Sequence, residues 1–184
     1  MDYIVLDMEW NQPWPGSPSA KKVLPVQIRG EIIQIGAVRV TEDQTVADEF
    51  QVMIRPKYYR RLNRRVSKLT GIKESRLKAE GIPMNEAMEQ FRAWCGEDII
   101  FLTWGFDDIT ILRENLQLYG LDDSWTGRWY NAQKISAAAI RVQSRKCPIK
   151  MGGFQAGVAS EPSPGLALCE PTRLASKAQK SWLG

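Results

Sequence analysis

A chain of 184 residues that is 43% hydrophobic and carries seven tryptophans holds one domain with a substantial core, with or without a tail. Its three widely spaced cysteines (Cys95, Cys147, Cys169) exclude a disulfide framework and a CxxC thiolate metal site, and they point to a reducing, cytoplasmic setting. No apolar run approaches the roughly 18 residues of a membrane span and no basic leader precedes one, so no membrane role is expected; the net charge of +4 conceals ten Lys or Arg against one acid in residues 55–78.

In chain order, residues 3–10 (YIVLDMEW) have the composition and alternation of a strand. The Pro-, Gly- and Ser-rich NQPWPGSPSAKK reads as a loop. EIIQIGAVRV (31–40) predicts a second strand, and EFQVMIRP (49–56) a third that stops at Pro56. Short connections make these three an antiparallel meander. A basic helix is expected at 60–69, followed by a TGI turn. Met84, Ala87, Met88, Phe91 and Trp94 recur at helical spacing and predict a helix from Pro83 to Trp94. DIIFLTW (98–104) is a short strand, and a helix capped by Asp107 or Asp108 runs to Tyr119. The expected fold class is α/β, a mixed sheet flanked by helices. Trp94, Trp104, Trp125 and Trp129 read as core or strand-end packing.

Composition breaks near residue 130. Residues 131–184 hold 24 Ala, Ser, Gly or Pro, two aromatics, eight basic residues and two acids. The expected division is therefore a domain at 1–130 and an atypical, low-aromatic basic tail at 131–184, read as disordered, divergent or frameshifted.

The chemistry concentrates in the first strand. Residues at i and i+2 share a strand face, so Asp7 and Glu9 lie together, opposite Ile4, Leu6 and Met8. Two like charges at that spacing repel by about 1–4 kcal/mol, depending on the effective dielectric. A divalent cation turns that repulsion into attraction, and hard carboxylate oxygens suit Mg²⁺ or Mn²⁺. The plainer alternative is a hydrated strand face. LTWGFDDITIL supplies further carboxylates where a strand turns into a helix, and Asp107 or Asp108 can serve as a cap, a ligand or one of each.

YIVLDMEW, EIIQIGAVRV, VSKLTGI and FLTWGFDDITIL, in that order, resemble the DEDD 3′–5′ exonuclease superfamily, in its ribonuclease-T-like and proofreading branch with a ribonuclease-H-like fold. The resemblance covers about residues 1–130. It implies that Asp7, Glu9 and Asp108 (the last D of G-x-x-D) hold two divalent metals, with Asp107 as the control. It also implies phosphodiester hydrolysis of RNA or single-stranded DNA by two-metal chemistry. Met8 and Thr70 would border the nucleic acid, and the LTGI turn (Leu69 to Ile72) its 3′ end. PKYYRRLNRRVSKLTGIK adds a cationic face: Arg60 and Arg61 recur with Arg64 and Arg65 at i, i+4, interleaved with tyrosines that can stack on bases.

The family's general base and fourth Asp belong to a C-terminal H-x-A-x-x-D pattern (or Tyr for His). This chain has no histidine, and after residue 130, where the only acids are Glu161 and Glu170, no Y-x-x-x-D replaces the pattern. No general base is found, and an impaired enzyme is expected. Translating the locus in all frames tests the frameshift reading, which fails if none encodes H-x-A-x-x-D downstream. Two other readings stand beside the enzyme. One is a non-catalytic nucleic-acid-binding relative of the same fold, and the other a small α/β protein whose acids are surface residues.

Overall fold

The computed structural model describes residues 1–136, of which Met1–Ala132 form one compact unit. Five strands make a single mixed sheet: β1 (Asp2–Asn11), β2 (Glu31–Val40), β3 (Val46–Met53), β4 (Ile99–Thr103) and β5 (Trp129–Asn131). Their order is β3-β2-β1-β4-β5. β1 pairs antiparallel with β2, and β2 with β3, while β4 lies parallel to β1 and β5 parallel to β4. This is the expected meander followed by alternation. Four helices join it: α1 (Arg64–Thr70), α2 (Glu74–Glu80), α3 (Met84–Cys95) and α4 (Asp107–Leu118).

The alternation of β1 sorts the sheet into two faces. Ile4, Leu6 and Met8 join Ile35, Ala37 and Phe101 in the main core, and α3 and α4 close it with Met88, Phe91, Ile109 and Leu112. Most of the driving force for folding resides in that dry layer. On the other face Ile33 and Met53 pack with Leu62, Ile72 and Leu77 from the α1–α2 region. Cys95 is buried and its thiol is pushed up to about 12 by loss of hydration, so it behaves as a small apolar residue.

Several predicted elements shift. The hairpin after β2 closes at Thr41–Thr45, where each backbone bonds the other side of the turn, so β3 begins at Val46 rather than at residue 49 and ends at Met53. The turn-like VAD is recruited because the closed hairpin brings it beside Arg39 and Val40. The basic helix begins only at Arg64, capped by the Asn63 side chain, so Arg60 and Arg61 lie before it and share no helix face with Arg64 and Arg65. Phe106, not an aspartate, caps α4; Asp107 and Asp108 occupy its first turn, where negative charge suits the helix dipole. α2 and β5 were not expected. Trp94, Trp125 and Trp129 pack against the core, but Trp104 is 60% exposed, because Gly105 turns the chain away just after β4. Residues beyond 136, which hold most of the predicted tail, lie outside the described residues.

Candidate active site

β1 and β4 stop pairing at Leu6 and Thr103, so the next stretch of β1 has no strand on that side. The first turn of α4 fills the gap. Asp108 Oδ1 accepts the Met8 backbone N–H at 3.0 Å, taking a donor that β4 no longer satisfies. A third carboxylate thus hangs on the peptide between Asp7 and Glu9. On the β2 side Asp7 faces Gly36 and Glu9 faces Gln34, so no bulky neighbour stands beside Asp7. A bulge interrupts the register at Glu9/Trp10, a device that bends a strand and is frequent beside active sites.

The three acids differ in setting but shift in one direction. Asp108 is buried, and that burial pushes its carboxyl up to about 7; Asp7's charge adds to the rise and the Met8 N–H opposes it. Asp7 opens to solvent, yet enough protein surrounds its carboxyl that lost hydration raises it too. Glu9 is raised by burial first and by the Asp7 charge second. The Asp7 charge thus raises both of the others. The donor set is hard oxygen and fits Mg²⁺ or Mn²⁺ in chemistry. It is not a closed cage: among the described residues no three His, Cys, Asp or Glu side chains are gathered into a group that could hold a metal ion.

Asp107 goes elsewhere. It is exposed and pairs with Arg29 Nη1 at 2.9 Å, while Arg29 also bonds Glu114. Of the two adjacent aspartates, only Asp108 reaches β1.

The other predicted contact residues separate into two kinds. Met8 is a correction: its side chain is 3% exposed within the core and its N–H is taken, so it has no side chain to present to nucleic acid. The Thr70 hydroxyl donates to the Val66 carbonyl and accepts the Ile72 N–H, closing the last turn of α1. Gly71 caps that turn at φ 73°, the left-handed geometry that favours glycine, and leaves Leu69 76% exposed at its tip. Arg60, Arg61, Arg64 and Arg65 are all exposed.

Two anchors of the basic stretch escape sequence reasoning. Glu31, 1% exposed at the start of β2, accepts the backbone N–H groups of Lys57, Tyr58 and Tyr59 at 2.6–3.0 Å and the Tyr119 hydroxyl at 2.5 Å. Asn11, fully buried at the end of β1, donates to the carbonyls of Tyr59 and Arg61 and accepts the Asn63 N–H. Their only sequence signal is a polar residue closing or opening an apolar strand. Together they hold the cationic loop against the strand that carries Asp7 and Glu9.

A mixed five-stranded sheet in the order β3-β2-β1-β4-β5, flanked by helices, is the ribonuclease-H-like architecture. The family model RNase_T, described as an exonuclease, matches residues 4–122, and the chain belongs to that family. Solved structures agree on the fold. The nuclease domain of 3′hExo, a DEDDh family member bound to rAMP, is 21% identical, with a TM-score of 0.63 over 76% of this chain and 70% of that one. Cell-death related nuclease 4 (CRN-4) is 15% identical, with a TM-score of 0.65 over 98% of this chain and 62% of that one. E. coli exonuclease I in complex with an oligonucleotide is 14% identical, with a TM-score of 0.59 over 76% of this chain and 30% of that one. Of a full-length 3′-exonuclease the chain covers 46%. No curated protein sequence matches it.

Proposed function

We propose that this chain is a divalent-metal-dependent 3′–5′ exonuclease domain for RNA or single-stranded DNA, in which Asp7, Glu9 and Asp108 are the metal ligands. One observation carries the reading: the Asp108 carboxylate is hung on the Met8 N–H, between the two acids of β1. Mg²⁺ or Mn²⁺, two ions by family resemblance, would activate water and stabilise the charge that develops on the phosphoryl oxygens. The protein's own part is positional. Asp108 is fixed by its hydrogen bond, while Asp7 is exposed and Glu9 half-buried on the strand beside it. Arg61 and Arg64, exposed in the 60–65 stretch, neutralise phosphates, and Leu69 at the LTG turn meets the terminal nucleotide. The buried thiol of Cys95 suits a reducing cytoplasm. Among the described residues no helix is long and apolar enough to cross a membrane.

Thermal melting with added Mn²⁺ tests the ligand set. The melting temperature should rise in the wild-type chain and in Asp107→Ala, and should not rise in Asp7→Ala. An equal rise in Asp7→Ala would place the ion elsewhere. Turnover is a separate matter, because the chain has no histidine and lacks the motif that supplies a base in its relatives. A positioned base contributes about 10²–10⁴-fold, so purified 1–184 should degrade a labelled oligonucleotide slower than an intact relative by about that factor. Rapid Mg²⁺-dependent degradation would overturn the impairment. Tight oligonucleotide binding with no turnover at all would favour the non-catalytic relative.

A further inference from the structure

Two residues beyond Glu9, β1 ends at Asn11 and runs into the loop that carries Trp14, and α1 lies against the strand. Between them is an open groove of about 380 Å³, walled by Trp14, Arg61, Arg64 and Lys68 over a floor that includes Leu62 and Ser67. Glu74 also borders it, but Lys78 Nζ stands 2.9 Å from that carboxylate and shares its charge. The groove is thus cationic on one side and aromatic on the other. Trp14 is 44% exposed and its backbone is held: Ser17 N–H bonds the Trp14 carbonyl across Pro15 and Gly16. With Gly16 at φ 80°, that is a type II turn, which fixes the backbone from which the indole projects.

The groove is tied to the acids by backbone. Asn11 holds the Arg61 carbonyl at 3.0 Å, and Asn63 Nδ2 holds the Gln12 carbonyl at 3.2 Å. The loop and helix that wall the groove are therefore bonded to the end of β1, the strand that carries Asp7 and Glu9. Not all of the arginines belong to it. Arg60 folds back, its Nε donating to the Lys57 carbonyl, and neither Arg60 nor Arg65 lines the groove.

Resting on the exonuclease reading above, we infer that this groove takes the single-stranded nucleic acid on the 5′ side of the reacting end. Phosphates lie along Arg61, Arg64 and Lys68, and one base stacks on Trp14. Cations spaced along one wall suit successive phosphates, and an exposed indole suits any base, so the groove contributes affinity without sequence preference.

Fluorescence anisotropy with 5′-labelled homopolymers in EDTA tests this without turnover. A dinucleotide should occupy only the acid end, and an octanucleotide should also fill the groove. Trp14→Ala should weaken octanucleotide binding about 5-fold or more and leave the dinucleotide unchanged. Reversing Arg61, Arg64 and Lys68 to Glu should lower the slope of log affinity against log salt by about 2, whereas Arg60→Glu with Arg65→Glu should leave octanucleotide affinity within about 2-fold. If the wild-type chain binds the octanucleotide and the groove variants match it, the groove assignment falls and the exonuclease reading stands. If the wild-type chain binds no oligonucleotide, the groove assignment falls, while the metal-dependent reading stands or falls by the Mn²⁺ melting of the wild-type and Asp7→Ala chains. Equal loss of the dinucleotide, or displacement by polyglutamate as effective as by unlabelled oligonucleotide, would also overturn the assignment.

Discussion

Asp108→Asn should raise the melting temperature of the metal-free protein above pH ~7 and remove the response to Mn²⁺. The carboxyl's folded-state value of about 7 lies above its ordinary 3.8, so the folded chain holds a proton that the unfolded chain has already lost. Stability therefore falls as pH rises from about 4 through about 7, and above that window the charged, buried Asp108 costs the fold on the order of 2–4 kcal/mol. Asparagine keeps an oxygen for the Met8 N–H and carries no charge, so it escapes that cost. For a domain of this size the gain is about 5–10 °C. Below pH ~4 wild-type Asp108 is already neutral and the two proteins should melt together. A variant less stable than wild type at neutral pH would mean that Asp108 is held as an anion by a compensating charge, which would remove the physical case for a cation there.

How far such a site can be read from sequence depends on the range of the forces that build it. Asp7 and Glu9 share a face because strand periodicity is local, and the strand–glycine–aspartate run before α4 is equally local. Which of Asp107 and Asp108 turns inward is not local, because Arg29, 78 residues away, draws Asp107 outward. The basic stretch shows the same limit more sharply. Its arginines recur at helical spacing, and propensity alone would extend α1 back to residue 60. Instead Glu31 and Asn11 capture the backbone of residues 57–63 from strands far back in the chain, and hydrogen bonds with these buried side chains outweigh a few tenths of a kcal/mol of helix preference. Trp104 looked like core because its neighbours are apolar, but the turn at Gly105 swings it out. Trp14 gave the opposite signal, an aromatic in a polar, Pro-rich loop, and only the position of α1 gives it a groove to line.

The largest stability loss should follow from Glu31→Ala. The carboxylate accepts three backbone N–H groups and the Tyr119 hydroxyl, and Tyr119 is itself held far above its ordinary value by burial and by that bond. Removing it leaves donors facing an apolar wall formed by Ile28, Tyr59 and Leu118. Each such donor left unpaired costs about 1–3 kcal/mol; because they relax together, the total should be on the order of 3–5 kcal/mol. Glu31→Gln should cost less, since the amide oxygen can still accept while its NH₂ meets a donor. The loop reports its own release: Lys57, Arg60, Arg61 and Arg64 are exposed tryptic sites on an anchored backbone. Limited trypsin digestion of Glu31→Ala should cut this stretch about 10-fold faster or more, well below the melting temperature, because local opening then costs less than global unfolding. Octanucleotide binding should weaken with it, since Arg61 loses its place in the groove. Unchanged melting and unchanged cleavage would show that Asn11 alone holds the loop, and that the cationic wall does not depend on β2 at all.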